Sequence, residues 1–188
     1  MPNLIITEDN EDDYSDDILD SPFIDFDNNI IHLYGEITYK ISLYISMSIR
    51  ELEKNKKSIT VKINSNGGLF EPCLSIISDL SNCKSKIITN VSRMAGSAAA
   101  IILLTGNQRI CSKFSSVMFH STQITIDSSI ENIEDYIKSI KETHERIMKI
   151  LMRNTNISYK EFIKLYNRKD YYLSPKECLE LGIIDKIY

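Results

Sequence analysis

The feature that most constrains this chain is a switch of hydrophobic period that recurs along it. Residues 58–68, SITVKINSNGG, alternate strictly, with Ile59, Val61 and Ile63 on one side and Thr60 and Lys62 on the other. A two-residue period is that of a strand with one buried face. Asn66-Gly67-Gly68 then reads as a turn. Helical spacing follows, with Pro72 in the first turn and Ile76, Ile77 and Leu80 inward. The same order of periods stands before it: the strand IIHLYGEI (30–37), then a helix over 41–54 with Leu43, Met47 and Leu52 near one stripe. It stands again after it, where the strand KIITNV (86–91) leads into VSRMAGSAAAIILLTG (91–106), a turn and a buried helix ending near Gly106. QRIC and SSVMFH are further strands. Strands alternating with helices define the α/β class.

From Ile130 the pattern becomes one long helix to about Met152, with Ile133, Ile137, Ile140, Ile147 and Leu151 at helical spacing. A capping box, Ser128 to Glu131, opens it. Two more boxes, Ser158 to Glu161 and Ser174 to Glu177 (with Pro175 at the first position), open two shorter helices, and Gly182 stops the last. Residues 121–127, STQITID, read as a strand.

Charge is unevenly spread. Residues 1–39 hold eleven of the 26 acids and no Lys or Arg, which leaves 15 acids against 22 bases in the rest, a surplus of seven positive charges. The run Glu8–Asp20 reads as a solvated, mobile arm. Basic residues in the body are scattered and not interleaved with aromatics, so no nucleic-acid stripe is expected. The longest apolar run, Ala98 to Leu104, is far short of the ~20 residues of a membrane span. The start has neither the early positive charge nor the apolar stretch of a secretory signal. Cys73, Cys83, Cys111 and Cys178 are widely spaced, with no zinc pattern, and read as buried free thiols in a reducing cytoplasmic setting.

Ser97 is the one hydroxyl at the head of the apolar run 98–104. It is either the cap of a buried helix or a nucleophile. A nucleophile needs a base, and the chain has three histidines. His32 lies within a strand and His144 on the apolar side of the long helix. His120 ends an apolar strand, where α/β proteins place chemistry. An orienting carboxylate has three candidates: Asp170, followed by the apolar Tyr171-Tyr172-Leu173, and Asp79 and Asp185. The order Ser, His, Asp matches neither the chymotrypsin, the subtilisin nor the α/β-hydrolase order, and Ala95 and Ala99 replace the glycines of a GxSxG elbow.

INSNGG (63–68), MAGSAAAIILLTG (94–106), VMFH (117–120) and RKDYYLSPKECLELGIIDKI (168–187), in this mutual spacing, resemble the Clp protease proteolytic subunit family from about Ile30 onward. The resemblance implies a spiral of ββα units with a protruding strand–helix handle at about 121–153. The domain would span 23–188, preceded by the acidic arm 1–22. It implies a serine endopeptidase with nucleophile Ser97, base His120 and orienting acid Asp170, and with Gly68 and Ala98 supplying oxyanion N–H groups. No metal or cofactor is implied, since ATP is used by a separate unfoldase. Partners would be unfolded polypeptide, other copies of the chain in heptameric rings stacked in pairs, and an AAA+ unfoldase. Thr60 and Lys62 fall where the family is commonly aromatic, so that docking pocket would be altered. The compartment would be the cytoplasm, or the interior of an organelle or host cell. The chain departs from the family at Asn66 (usually Pro), at Ala98 (usually Met), at Ser121-Thr122 (commonly Gln-Pro) and in having no glycine over Gln123–Ser129. Other readings compatible with these residues are a crotonase-like CoA-ester enzyme, a non-catalytic ring subunit, and a stand-alone phage capsid-maturation type protease.

Overall fold

A computed structural model describes residues 24–120, 130–166 and 170–188. The expected arm, the 121–127 strand and the cap at Ser128 lie outside them. Among the described residues the chain forms a mixed α/β fold around an eight-stranded, mostly parallel sheet. β1 (Ile24–Asp25), β2 (Ile30–Ile37), β3 (Ile59–Gly68), β4 (Ile87–Gly96), β5 (Gln108–Cys111) and β8 (Lys186–Ile187) lie side by side in that order. β1 is antiparallel to β2, and the other neighbours along this path are parallel. β6 (Ser116–Phe119) pairs with the far half of β4, at Met94–Gly96, while β5 takes the near half, at Ile88–Val91. β4 therefore splits the sheet into two branches. β7 (Tyr171–Leu173) closes the second branch, antiparallel to β6.

The strict alternation of β3 is the alternation of the core. Ile59, Val61 and Ile63 are fully buried, whereas Thr60 and Lys62 are half-exposed on the opposite face. Burying each such isoleucine contributes about 1.5–3 kcal/mol. α1 (Tyr39–Leu52), α2 (Phe70–Asn82) and α3 (Ala98–Leu103) cover the buried face, with α2 between the other two. Ile76, Ile77 and Leu80 of α2 point inward as their spacing requires.

Two local readings are corrected. Asn66-Gly67-Gly68 and the segment before Ser97 are not turns. β3 runs through Gly68, which pairs with Ile37, and β4 runs through Gly96. Glycine signals a turn locally, but here it lets two strand ends pass close together: a Cβ on Gly96 would lie 2.8 Å from the Asn66 carbonyl oxygen. The stripe assigned to α1 is also rotated. Leu43 and Met47 are exposed, and Tyr44, Ile45, Ile49 and Leu52 are buried together with Ser42 and Ser48. Those two hydroxyls turn back onto the carbonyls of Tyr39 and Tyr44, at 2.9 and 2.7 Å, which makes them compatible with a core face.

α4 (Ile130–Leu151) is the long helix. Met148 and Leu151 are buried, while Ile133, Ile137, Ile140 and Ile147 are only half-buried. α5 (Tyr159–Tyr166) and α6 (Pro175–Glu180) start at the predicted boxes. Glu161 and Glu177 reach back to the backbone N–H groups of Ser158 and Ser174, and each serine hydroxyl accepts from the glutamate's own N–H. Cys73, Cys111 and Cys178 are buried, Cys83 is partly exposed, and all four are free thiols. Among the described residues no helix is long and apolar enough to cross a membrane.

Candidate active site

Ser97 stands at the junction of β4 and α3, at the N-cap position, yet its side chain makes no capping bond. Its backbone, at φ 51° and ψ −120°, is in a region that non-glycine residues rarely adopt. Such strain costs of order 1–3 kcal/mol and persists where the surroundings enforce it. Here the Ser97 N–H donates to the Met118 carbonyl of β6 at 2.8 Å, which ties the junction to the strand that leads into His120. The result is a hydroxyl turned away from its helix: Ser97 Oγ lies 2.7 Å from His120 Nε2. In the neutral tautomer protonated at Nδ1, that nitrogen accepts the serine proton.

Gly67 is the neighbour that packs against the serine, a contact the sequence did not single out; Gly68 was named for a different role, that of oxyanion N–H donor. At φ 109° Gly67 packs so close that a Cβ would lie 2.7 Å from Ser97 Cβ and 2.8 Å from the Gly96 carbonyl oxygen. Gly68, at φ 155°, is crowded instead by the Ile37 backbone, with a Cβ 2.4 Å from the Ile37 oxygen. Ala98 opens α3 and is buried, and its N–H belongs to the first turn, where N–H groups lack acceptors inside the helix. Beneath it the Cys73 thiol donates to the Ala98 carbonyl at 3.5 Å, and burial pushes that thiol's pKa up to about 12. Cys73 is thereby a packing group, far too dry to compete as a nucleophile.

The three carboxylate candidates separate clearly. Asp185 is bound to Arg109, whose Nη2 is 2.6 Å and whose backbone N–H is 2.7 Å from its carboxylate oxygens. Asp79 lies late in α2 and is half-exposed. His120 and Asp170 each stand one residue beyond the last pair of the β6–β7 ladder, Phe119 with Tyr171. Asp170 is exposed with φ 24°, and among the described residues no hydrogen bond joins it to His120. The structure therefore brings Ser97 and His120 into contact, and leaves Asp170 one residue past the end of the ladder with no bond to His120. His32 and His144 lie apart from this group, His32 edge-on to Tyr34 and His144 against Phe70. Among the described residues, no group of three or more His, Cys, Asp or Glu side chains is placed to hold a metal ion.

A serine hydroxyl on an imidazole nitrogen, at the end of parallel strands and held by a strained junction, is the arrangement of nucleophilic serine chemistry. A family model described as Clp protease matches residues 15–188, and the chain belongs to that family.

Proposed function

We propose that the protein is a serine endopeptidase, the proteolytic subunit of a compartmental Clp-type protease acting on unfolded polypeptide. The observation that carries this reading is the 2.7 Å contact between Ser97 Oγ and His120 Nε2, made by a serine that forgoes its helix cap. Ser97 attacks the peptide carbonyl while His120 takes its proton and later delivers it to the leaving amine. Asp170 orients the imidazole once its carboxylate reaches Nδ1, a role supported by both residues standing one position beyond the Phe119–Tyr171 pair. The N–H groups of Gly68 and Ala98 receive the oxyanion, and losing one such donor typically costs ~10²–10³ in rate. No metal or cofactor takes part.

The test is hydrolysis of short unstructured peptides without ATP, alongside fluorophosphonate labelling. Wild type is expected to cleave and label, and Ser97→Ala and His120→Ala to do neither. Cleavage that survives in purified Ser97→Ala sinks the assignment. A crotonase-like enzyme would leave Ser97 unlabelled.

The working form in this reading is a heptameric ring, stacked in pairs. The exposed row Tyr39, Leu43 and Met47 on α1 is apolar surface that a neighbouring copy would cover. A monomer in solution scattering at micromolar concentration refutes the ring. The acidic arm then stands at the ring entrance, and ATP is spent by a separate unfoldase. Thr60 and Lys62 offer that unfoldase a hydroxyl and an ammonium, neither of which gives a docking loop the buried area of an aromatic ring. The expected partner is therefore one with matched loops, working in the cytoplasm or in an organelle or host interior. Tight binding of a typical bacterial unfoldase, with no gain in Thr60→Tyr/Lys62→Tyr, counts against the altered pocket.

A further inference from the structure

The chain leaving Gly68 is held from two sides. On the strand side, the Leu69 N–H donates to the Ile37 carbonyl at 2.8 Å, and Gly68 lies against that same backbone. On the other side, Phe70 and Glu71, the first two residues of α2, both meet α4. The Tyr136 hydroxyl donates to Glu71 Oε1 at 3.2 Å. The His144 ring lies 6.2 Å from the Phe70 ring, tilted by 42°. Tyr136 and His144 are a little over two helical turns apart, so one face of α4 presents both. α4 is itself the first described element after His120. α4 is anchored in the core at Met148 and Leu151, so these two contacts tie the segment leaving Gly68 to a fixed element at a distance from the reacting atoms.

We infer that Tyr136 and His144, acting through Glu71 and Phe70, are positioning residues that fix the Gly68 backbone relative to the Ser97–His120 pair. The inference rests on the peptidase reading above. The Tyr136–Glu71 bond is exposed to water, so it adds little to global stability. Its consequence is geometric, since a displacement of ~1 Å at a reacting centre can cost ~10²-fold in rate. Partial relaxation of the segment is expected to lower kcat about tenfold with KM within about twofold.

The experiment is steady-state peptide hydrolysis by the full-length protein, with hydrogen exchange followed over residues 66–72. Tyr136→Phe and His144→Ala are expected to lose kcat and to exchange several-fold faster in that segment. Glu71→Gln keeps an acceptor oxygen and His144→Phe keeps a ring, and both are expected to stay near wild type in kcat and exchange. An active wild type whose Tyr136→Phe and His144→Ala forms keep their kcat overturns this inference alone, whether or not exchange changes. Loss of kcat in the two conservative variants as well also overturns it, because the contacts named here are then not the cause. A wild type without Ser97-dependent hydrolysis overturns the peptidase reading, and this inference with it.

Discussion

Replacing Gly67 with alanine puts a methyl group where the structure has room only for hydrogen. The added Cβ would lie 2.7 Å from Ser97 Cβ and 2.8 Å from the Gly96 oxygen. Ordinary carbon contacts begin near 3.5 Å, so relief requires a shift of about 1 Å. Relief by moving the β4–α3 junction away from β3 is expected to carry the serine off its imidazole. The 2.7 Å Oγ···Nε2 contact then stretches to roughly 3.6 Å, where no hydrogen bond remains. Holding alanine at φ 109° costs about 1–3 kcal/mol, and the overpacking adds about 1–3 kcal/mol. The expected outcome is a melting temperature lower by on the order of 10 °C and a fall in kcat/KM of ~10² or more. Gly35→Ala is the control: its φ is also positive, at 79°, but no atom lies within 4 Å of the added methyl. It should show the strain without the loss of rate. Peptide hydrolysis, fluorophosphonate labelling rate and thermal melting of both variants give the comparison. A Gly67→Ala protein that labels and hydrolyses within about twofold of wild type would refute the reasoning.

Three further outcomes are expected. Asp170→Asn should lower peptide hydrolysis by ~10⁴, as loss of the orienting acid does in the triad template, and a change below tenfold removes Asp170 from the mechanism. Burial holds His144 below the usual imidazole range in the folded state, so on acidification the unfolded chain takes up that proton first; the associated stability is complete above pH ~6.5 and is lost as the pH falls through the folded value. His32, lowered by burial and then by Lys62, acts in the same direction, so the check is a drop in melting temperature between pH 7.5 and 5.5 that is smaller in His144→Phe than in wild type, and equal drops count against it. Burial alone would raise the Asp185 carboxyl, but hydrogen bonds from Arg109 outweigh it and hold the group below its usual range; Asp185→Ala should therefore cost about 3 kcal/mol in urea unfolding by depriving a nearly buried guanidinium of its carboxylate, and a loss under 1 kcal/mol would show the pair to be dispensable.

What the sequence determined by itself is whatever depends on short-range period and on side-chain chemistry. The alternation of Ile59, Val61 and Ile63 was readable because a sheet with one covered face imposes a two-residue period, and the boxes at Ser158 and Ser174 because a cap is made within four residues. Ser97, His120 and Asp170 were visible as residue types in a family-like order. Tertiary structure decided what depends on which elements meet. Asn66-Gly67-Gly68 looks like a turn until Ile37 pairs with Gly68 and carries the strand through it. Leu43 and Met47 look like a core stripe until α2 docks on another side of α1, because a helix with apolar residues on several sides does not specify which one is covered. On local terms the serine read first as a helix cap, with the nucleophile as the alternative. Only β6 pairing along Met94–Gly96 brings the Met118 carbonyl onto the Ser97 N–H and His120 onto its hydroxyl, a contact between residues 23 apart that no local pattern encodes.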